Sequence, residues 1–203
     1  MSPRTDLYDL LFSYVRLYDD EVMPFAEFAA VWCEGIGVQE VAKRLGANPE
    51  SARKCRLATV VDDLEMNVGD GLLLVGPAGA WTLALQVAGY DCTLEENISR
   101  LSDGGGRALS ISWCFKGNTD LIYAVDGEIV TRFEITYPEP QSGSAPDALD
   151  PLMEGLRFQL DEDDPIVEES LNSAFVLAGR ITGQEIDRTW LDSPHTRFVI
   201  PHS

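Results

Sequence analysis

An α+β fold on an antiparallel sheet, with a three-stranded meander and with helices from both ends of the chain covering the sheet, is predicted by three features. Apolar residues recur at helical spacing in the N-terminal third. They alternate singly through 81–87 and 109–115. Two-residue turn signals, Gly117-Asn118 and Asp126-Gly127, then separate strand-like runs.

Taken in order, Phe25, Phe28, Ala29 and Trp32 fall at i, i+3, i+4 and i+7 and predict a first helix. Val38, Val41, Ala42 and Leu45 repeat that spacing, and Gly46 supplies a stop. Asn48-Pro49 offers an N-cap followed by proline at the first helical position, which predicts a short helix to about Arg56; Leu57-Ala58-Thr59-Val60-Val61 is then strand-like. From Gly71 to Tyr90 there are 20 residues without a charge, a membrane-spanning length. Gly76-Pro77-Ala78-Gly79 breaks that run and Asp70 and Asp91 flank it, so it reads as a β-hairpin and not a span. Leu94, Ile98 and Leu101 place a helix that ends before Gly104-Gly105-Gly106. Residues 107–116, 119–125 and 128–137 form the meander.

Residues 138–151, rich in Pro, Gly and Ser, read as a surface loop. Helices over 148–158, 165–180 and 184–191 are too few and short for a core of their own, so 1–203 is a single domain with 1–20 as a loosely attached N-terminal segment. Phe198, Val199 and Ile200 supply a closing strand.

Charge is the outlier, with 15 basic and 34 acidic residues giving −19. Residues 1–56 hold 7 basic and 9 acidic residues, a balance of −2, and 57–203 hold 8 and 25, a balance of −17. A field of that sign repels nucleic acid and anionic membranes and favours a basic protein partner. Cys33, Cys55, Cys92 and Cys114 form no C-x-x-C pair, so they read as core or half-buried thiols of a reducing compartment. The acidic N-terminus does not resemble a signal peptide, and the expected location is cytoplasmic.

Several groups are candidates for chemistry. Thr82, Gln86, Ser110, Ser112, Cys114, Arg132 and Glu134 project from one sheet face, where a concave surface would bind a small ligand and a flat or helix-covered one would not. The acidic run Asp161, Glu162, Asp163 and Asp164, with Glu168 and Glu169, is the candidate surface for a basic partner. It lacks the register of a calcium loop, and Asp164 before Pro165 serves equally as a helix cap, so no metal site is assigned. The only histidines, His195 and His202, lie in the last nine residues and read as tail residues, and no catalytic constellation or cofactor motif is assigned. Gly104-Gly105-Gly106-Arg107 fits a helix-to-strand turn better than an anion cradle. Val38–Arg56 admits a helix-turn-helix reading with Arg53, Lys54 and Arg56 on its second helix, opposed by the overall charge.

Ala80-Trp81-Thr82-Leu83, Leu101-Ser102-Asp103-Gly104, the run Gly127 to Glu134, Pro146-Asp147-Ala148-Leu149 and Ala178-Gly179-Arg180-Ile181-Thr182-Gly183 together resemble an uncharacterised, mainly actinobacterial family, domain of unknown function 6461, over about 25–200. The resemblance implies a bacterial cytoplasmic protein, makes the 38–45 helix part of the domain and brings no catalytic residues. The leading expectation is a non-enzymatic interaction or regulatory protein, with immunity or antitoxin action as one form. An enzyme or ligand-binding module using the polar sheet face is the alternative, and a DNA-binding regulator through 38–56 is the third.

Overall fold

The computed structural model describes residues 10, 27–64, 71–114, 119–158 and 167–201. Eight strands form one sheet: β1 (Glu27–Glu34), β2 (Asn48–Cys55), β3 (Gly71–Ala78), β4 (Trp81–Ala88), β5 (Arg107–Cys114), β6 (Asp120–Val125), β7 (Glu128–Glu134) and β8 (His195–Ile200). Their spatial order is β2-β8-β3-β4-β1-β5-β6-β7, and every neighbouring pair is antiparallel. The helices are α1 (Val38–Arg44), α2 (Leu57–Leu64), α3 (Glu95–Ser102), α4 (Asp150–Met153), α5 (Val167–Thr182) and α6 (Arg188–Asp192), with 3-10 turns at Asp91–Thr93 and Pro146–Leu149. The chain is therefore α+β with an antiparallel sheet, as expected.

Three local expectations are overturned. The helix expected around Phe28 and Trp32 is β1, because every residue from Phe28 to Cys33 is buried and a strand covered on both faces shows no alternation. The helix expected after Asn48 is β2: the Asn48 side chain accepts from the Glu50 N–H at 2.9 Å, a local Asx turn, and Pro49 sits at the start of an edge strand, where a missing donor costs little. The strand expected at 57–61 is α2, which buries Leu57 and Val60 three residues apart. Its β-branched residues are overridden by that burial. The helix-turn-helix geometry over 38–56 consequently does not form. Gly117-Asn118 lies outside the described residues. Asp126-Gly127 forms a turn with both residues at positive φ, 49° and 83°. Gly71–Ala78 and Trp81–Ala88 pair as a hairpin, and among the described residues no helix is long and apolar enough to cross a membrane.

The two sheet faces carry side chains of different size. One bears Phe28, Trp32, Leu72, Leu74, Leu83, Leu85, Leu109, Trp113 and Phe133, which join α2, α5 and α6 in one core. Phe28 stacks on Trp113 at 4.1 Å, and Phe175 of α5 meets both edge-on. The other face bears Ala29, Val31, Cys33, Ala84 and Ala108 on the central strands, with Leu73, Val75, Ile122, Ala124 and Phe198 beyond them, and these pack with Val41, Ala42 and Leu45 of the α1 region and Ile98 and Leu101 of α3. Small side chains let these two helices lie close to the strands. Two arginines tie the helix ends together: Arg44 donates to the carbonyls of Arg100 (2.9 Å) and Asp103 (2.9 Å), and Arg100 donates back to that of Arg44 (3.1 Å). Ala84→Leu is expected to cost about 1–3 kcal/mol in denaturant unfolding by overpacking this layer; on an open, solvated face the same change would be neutral.

Candidate functional site

Antiparallel register decides which of the candidate residues meet, since directly paired residues share a face. One row across the sheet runs Gln86, Ala29, Ser112, Asp120, Glu134, and the next runs Ala84, Val31, Ser110, Ile122, Arg132. Thr82 lies one row further, with Cys33 and Ala108. The candidates named from sequence thus share a face, and the helices divide them into two groups. The side chain of Cys114 lies outside the described residues.

Thr82, Gln86 and Ser110 are buried. The Thr82 hydroxyl donates to the Ile36 carbonyl at 2.7 Å. The Gln86 amide donates to the Asp91 carboxylate at 2.9 Å and accepts from the Cys92 N–H at 2.8 Å, pinning the 3-10 turn above the strands. These groups serve the packing beneath α1 and α3.

Ser112, Arg132 and Glu134 form the second group, toward the end of the sheet where β5 stops and β6 begins. Arg132 donates to the Asp120 carboxylate at 2.7 Å and to that of Glu95, at the start of α3, at 3.3 Å. Glu134 is exposed and accepts from the Thr136 hydroxyl at 2.8 Å. One guanidinium is therefore paired with two carboxylates, those of Asp120 and Glu95, and Glu134 follows Arg132 by two residues on the same strand face. Such a cluster attracts cations, and its arginine is already engaged by two carboxylates. Asp120 and Glu95 were not singled out from sequence. Asp120 joins the cluster only because the β6–β7 pairing shifts between Tyr123 and Ala124, which places Asp120 opposite Glu134.

Of the acidic set, Asp161 to Asp164 and the side chain of Glu168 lie outside the described residues, and Glu169 pairs with Arg157 at 2.9 Å. The glycine turn works as the helix-to-strand reading expects. Gly104 and Gly105 have φ of 88° and 86°, and the Gly105 N–H donates to the Asp126 carboxylate at 2.7 Å, so a side chain of the protein itself occupies the place an anion would take. Arg107 is committed too, forked onto Glu34 across β1 and β5 and lying over the Trp81 ring at 4.9 Å. Burial pushes the Cys33 and Cys92 thiols well up, which disfavours the nucleophilic thiolate. His195 is no tail residue: it opens β8 and is buried. Among the described residues no cluster of three or more metal-ligating side chains occurs. An open groove of about 360 Å³ lies between Pro138, Met153, Leu156, Arg157 and Phe158, and of the residues singled out from sequence Glu169 reaches it through its pair with Arg157.

Residues 20–201 match a family of unknown function (DUF6461), and the chain belongs to that family. No curated protein and no solved structure matches it.

The hydrogen bonds from Arg107 hold the Glu34 carboxyl below its ordinary range. A carboxyl depressed in the folded state adds stability above its unfolded value, and that stability is lost as pH falls through the folded value. Glu34→Gln should flatten this acid limb of a pH–stability curve by less than about 1 kcal/mol, since both partners are about a third exposed. An unchanged limb would show the pair to be energetically idle.

Proposed function

We propose that this chain is a non-enzymatic interaction or regulatory protein of the bacterial cytoplasm whose acidic surface receives a basic protein partner, with immunity or antitoxin action as one form. The observation that carries the reading is charge without internal compensation: over 57–203 the 25 acidic residues exceed the 8 basic ones by 17, so most of these carboxylates have no cation of that region to pair with. The groups that would serve a catalytic pocket support the same view, because Thr82, Gln86, Arg107 and Arg132 are spent on contacts within the fold. In this reading the meander of β5, β6 and β7 is a rigid platform and helices from both ends of the chain cover the sheet. The acidic stretch of Asp161, Glu162, Asp163, Asp164, Glu168 and Glu169 is the receiving surface in this reading.

The tagged chain at about 30 mM salt is expected to retain a stoichiometric partner of pI above about 9, released near 0.5 M salt, where the Debye length falls to a few ångströms. Replacing Asp161, Glu162, Asp163 and Asp164 by Lys should abolish retention. Recovery of nothing, or of an acidic partner indifferent to salt, removes the proposal.

A second reading is favoured by one observation, the alignment of Ser112, Asp120 and Glu134 in a single row beside Arg132. It makes this end of the sheet a seat for a small cationic ligand. Spermidine should then raise the melting temperature of the protein in a way that Asp120→Asn suppresses; equal responses of the two proteins would exclude the seat.

A further inference from the structure

The first residue of β8 is a buried histidine with one ring nitrogen satisfied and one bare. His195 is 4% exposed, and its Nε2 lies 2.7 Å from the Trp190 carbonyl of α6. A carbonyl only accepts, so Nε2 carries the hydrogen and Nδ1 presents a lone pair in the neutral ring. That Nδ1 is buried and has no hydrogen-bond partner. It faces Gly76 of β3 so closely that a Cβ there would fall 1.9 Å from it. The ring stacks on Trp190 at 4.0 Å and 24°, and the Trp190 indole N–H donates to the Pro77 carbonyl at 2.9 Å. Asp187 caps the same helix by accepting from the Trp190 N–H at 2.8 Å. His195 and Trp190 thus form the seam that fastens α6 to β3.

We propose that His195 is an acid-operated latch: neutral, it holds α6 against β3 and β8, and on taking a proton from solvent at Nδ1 it releases that helix. Protonation would place an N–H beside Gly76, where no acceptor is in contact, and a positive charge inside an apolar seam. Lys54 is the charged neighbour that acts on the ring, and it disfavours a second positive charge. β3 carries no ionisable residue at all. β2 sets Cys55 directly opposite His195, and Lys54 beside it opposes a second positive charge, with Arg53 and Arg56 flanking. β8 adds Arg197. On α6, Arg188 and Asp192 are exposed, and the Asp187 carboxylate is engaged in the cap. α2 carries Asp62 and Asp63 in its last turn, their side chains outside the described residues.

Burial first, with Lys54 adding to it, holds the His195 pKa below its ordinary value. A histidine depressed in the folded state leaves stability complete above the unfolded value, near 6.5, and the contribution is lost as pH falls from there toward the folded value. Opening should therefore become up to about tenfold more favourable per pH unit across that window.

Only two histidines occur, so NMR can follow His195 in the intact protein. The imidazole is expected to stay neutral through pH 6.5, and as it gains its proton the amides of 188–192 and the Trp190 indole N–H should exchange faster by up to about tenfold per unit beyond the intrinsic pH effect. His195→Gln keeps a neutral donor for the Trp190 carbonyl and should abolish this dependence. Lys54→Gln should move the midpoint upward. Titration at an ordinary midpoint near 6.5, or unchanged protection of α6 while wild-type His195 titrates, overturns the latch. The wild-type titration decides the question even if His195→Gln does not fold.

Discussion

β1 lies in the middle of the sheet and is apolar on both faces, with Phe28, Ala30 and Trp32 turned to one core and Ala29, Val31 and Cys33 to the other. Leaving either face in water would forgo about 25 cal/mol for each Å² of apolar surface. Apolar side chains from other segments therefore pack against both of its sides. α1 and α3 approach the small-residue face, and α2, α5 and α6 share a core with the large-residue face. The burial of Thr82, Gln86 and Ser110 follows from this double packing.

How much of this could be read from the sequence depended on where a strand lies. β4 and β5 alternate large and small side chains, and that alternation was legible; so was the Asp126-Gly127 turn, whose geometry few other pairs adopt. β1 was not, because a strand buried on both sides loses its period, and its Phe28, Ala29 and Trp32 happen to continue a helical spacing from Phe25, which lies outside the described residues. β2 and α2 exchanged types for tertiary reasons: pairing with β8 captures the one, and burial of Leu57 and Val60 shapes the other. On the face that carries Thr82, Gln86 and Ser110, alternation of Leu with Ala or Ser has two meanings. It signals water on the second face, or a helix packed so closely that only small residues fit. Thr82, Gln86 and Ser110 follow the second meaning.

The cluster around Arg132 shows a finer limit. Counting outward from the Asp126-Gly127 turn without interruption pairs Asp120 with Phe133 and hides the carboxylate from Arg132. One extra residue in β7 near Val130 shifts the register and brings Glu134 opposite Asp120, which β5 already holds in the row of Ser112. Since a slip of one residue exchanges faces, this irregularity decides whether a partly buried arginine finds its anion. Nothing in the local composition announces it, and Glu95 arrives from a helix packed elsewhere in the chain.

Both open edges of the sheet are also managed, which bears on how another protein could engage it. On β2, the Arg53 guanidinium donates to the carbonyls of Glu50 (3.2 Å) and Ala52 (2.8 Å), so the strand's own side chain occupies acceptors that an incoming strand would need. On β7, residues 142–145 supply the pairing instead: Ser142 exchanges hydrogen bonds with Arg132, and the N–H groups of Ser144 and Ala145 reach the carbonyls of Ile129 and Val130. Backbone addition at either edge would have to break these contacts first. Recognition through side chains meets no such barrier, and in a chain of net charge −19 the side chains available for it are predominantly carboxylates. Under the proposed reading, long-range attraction would set the encounter rate while the closed edges suppress indiscriminate strand pairing.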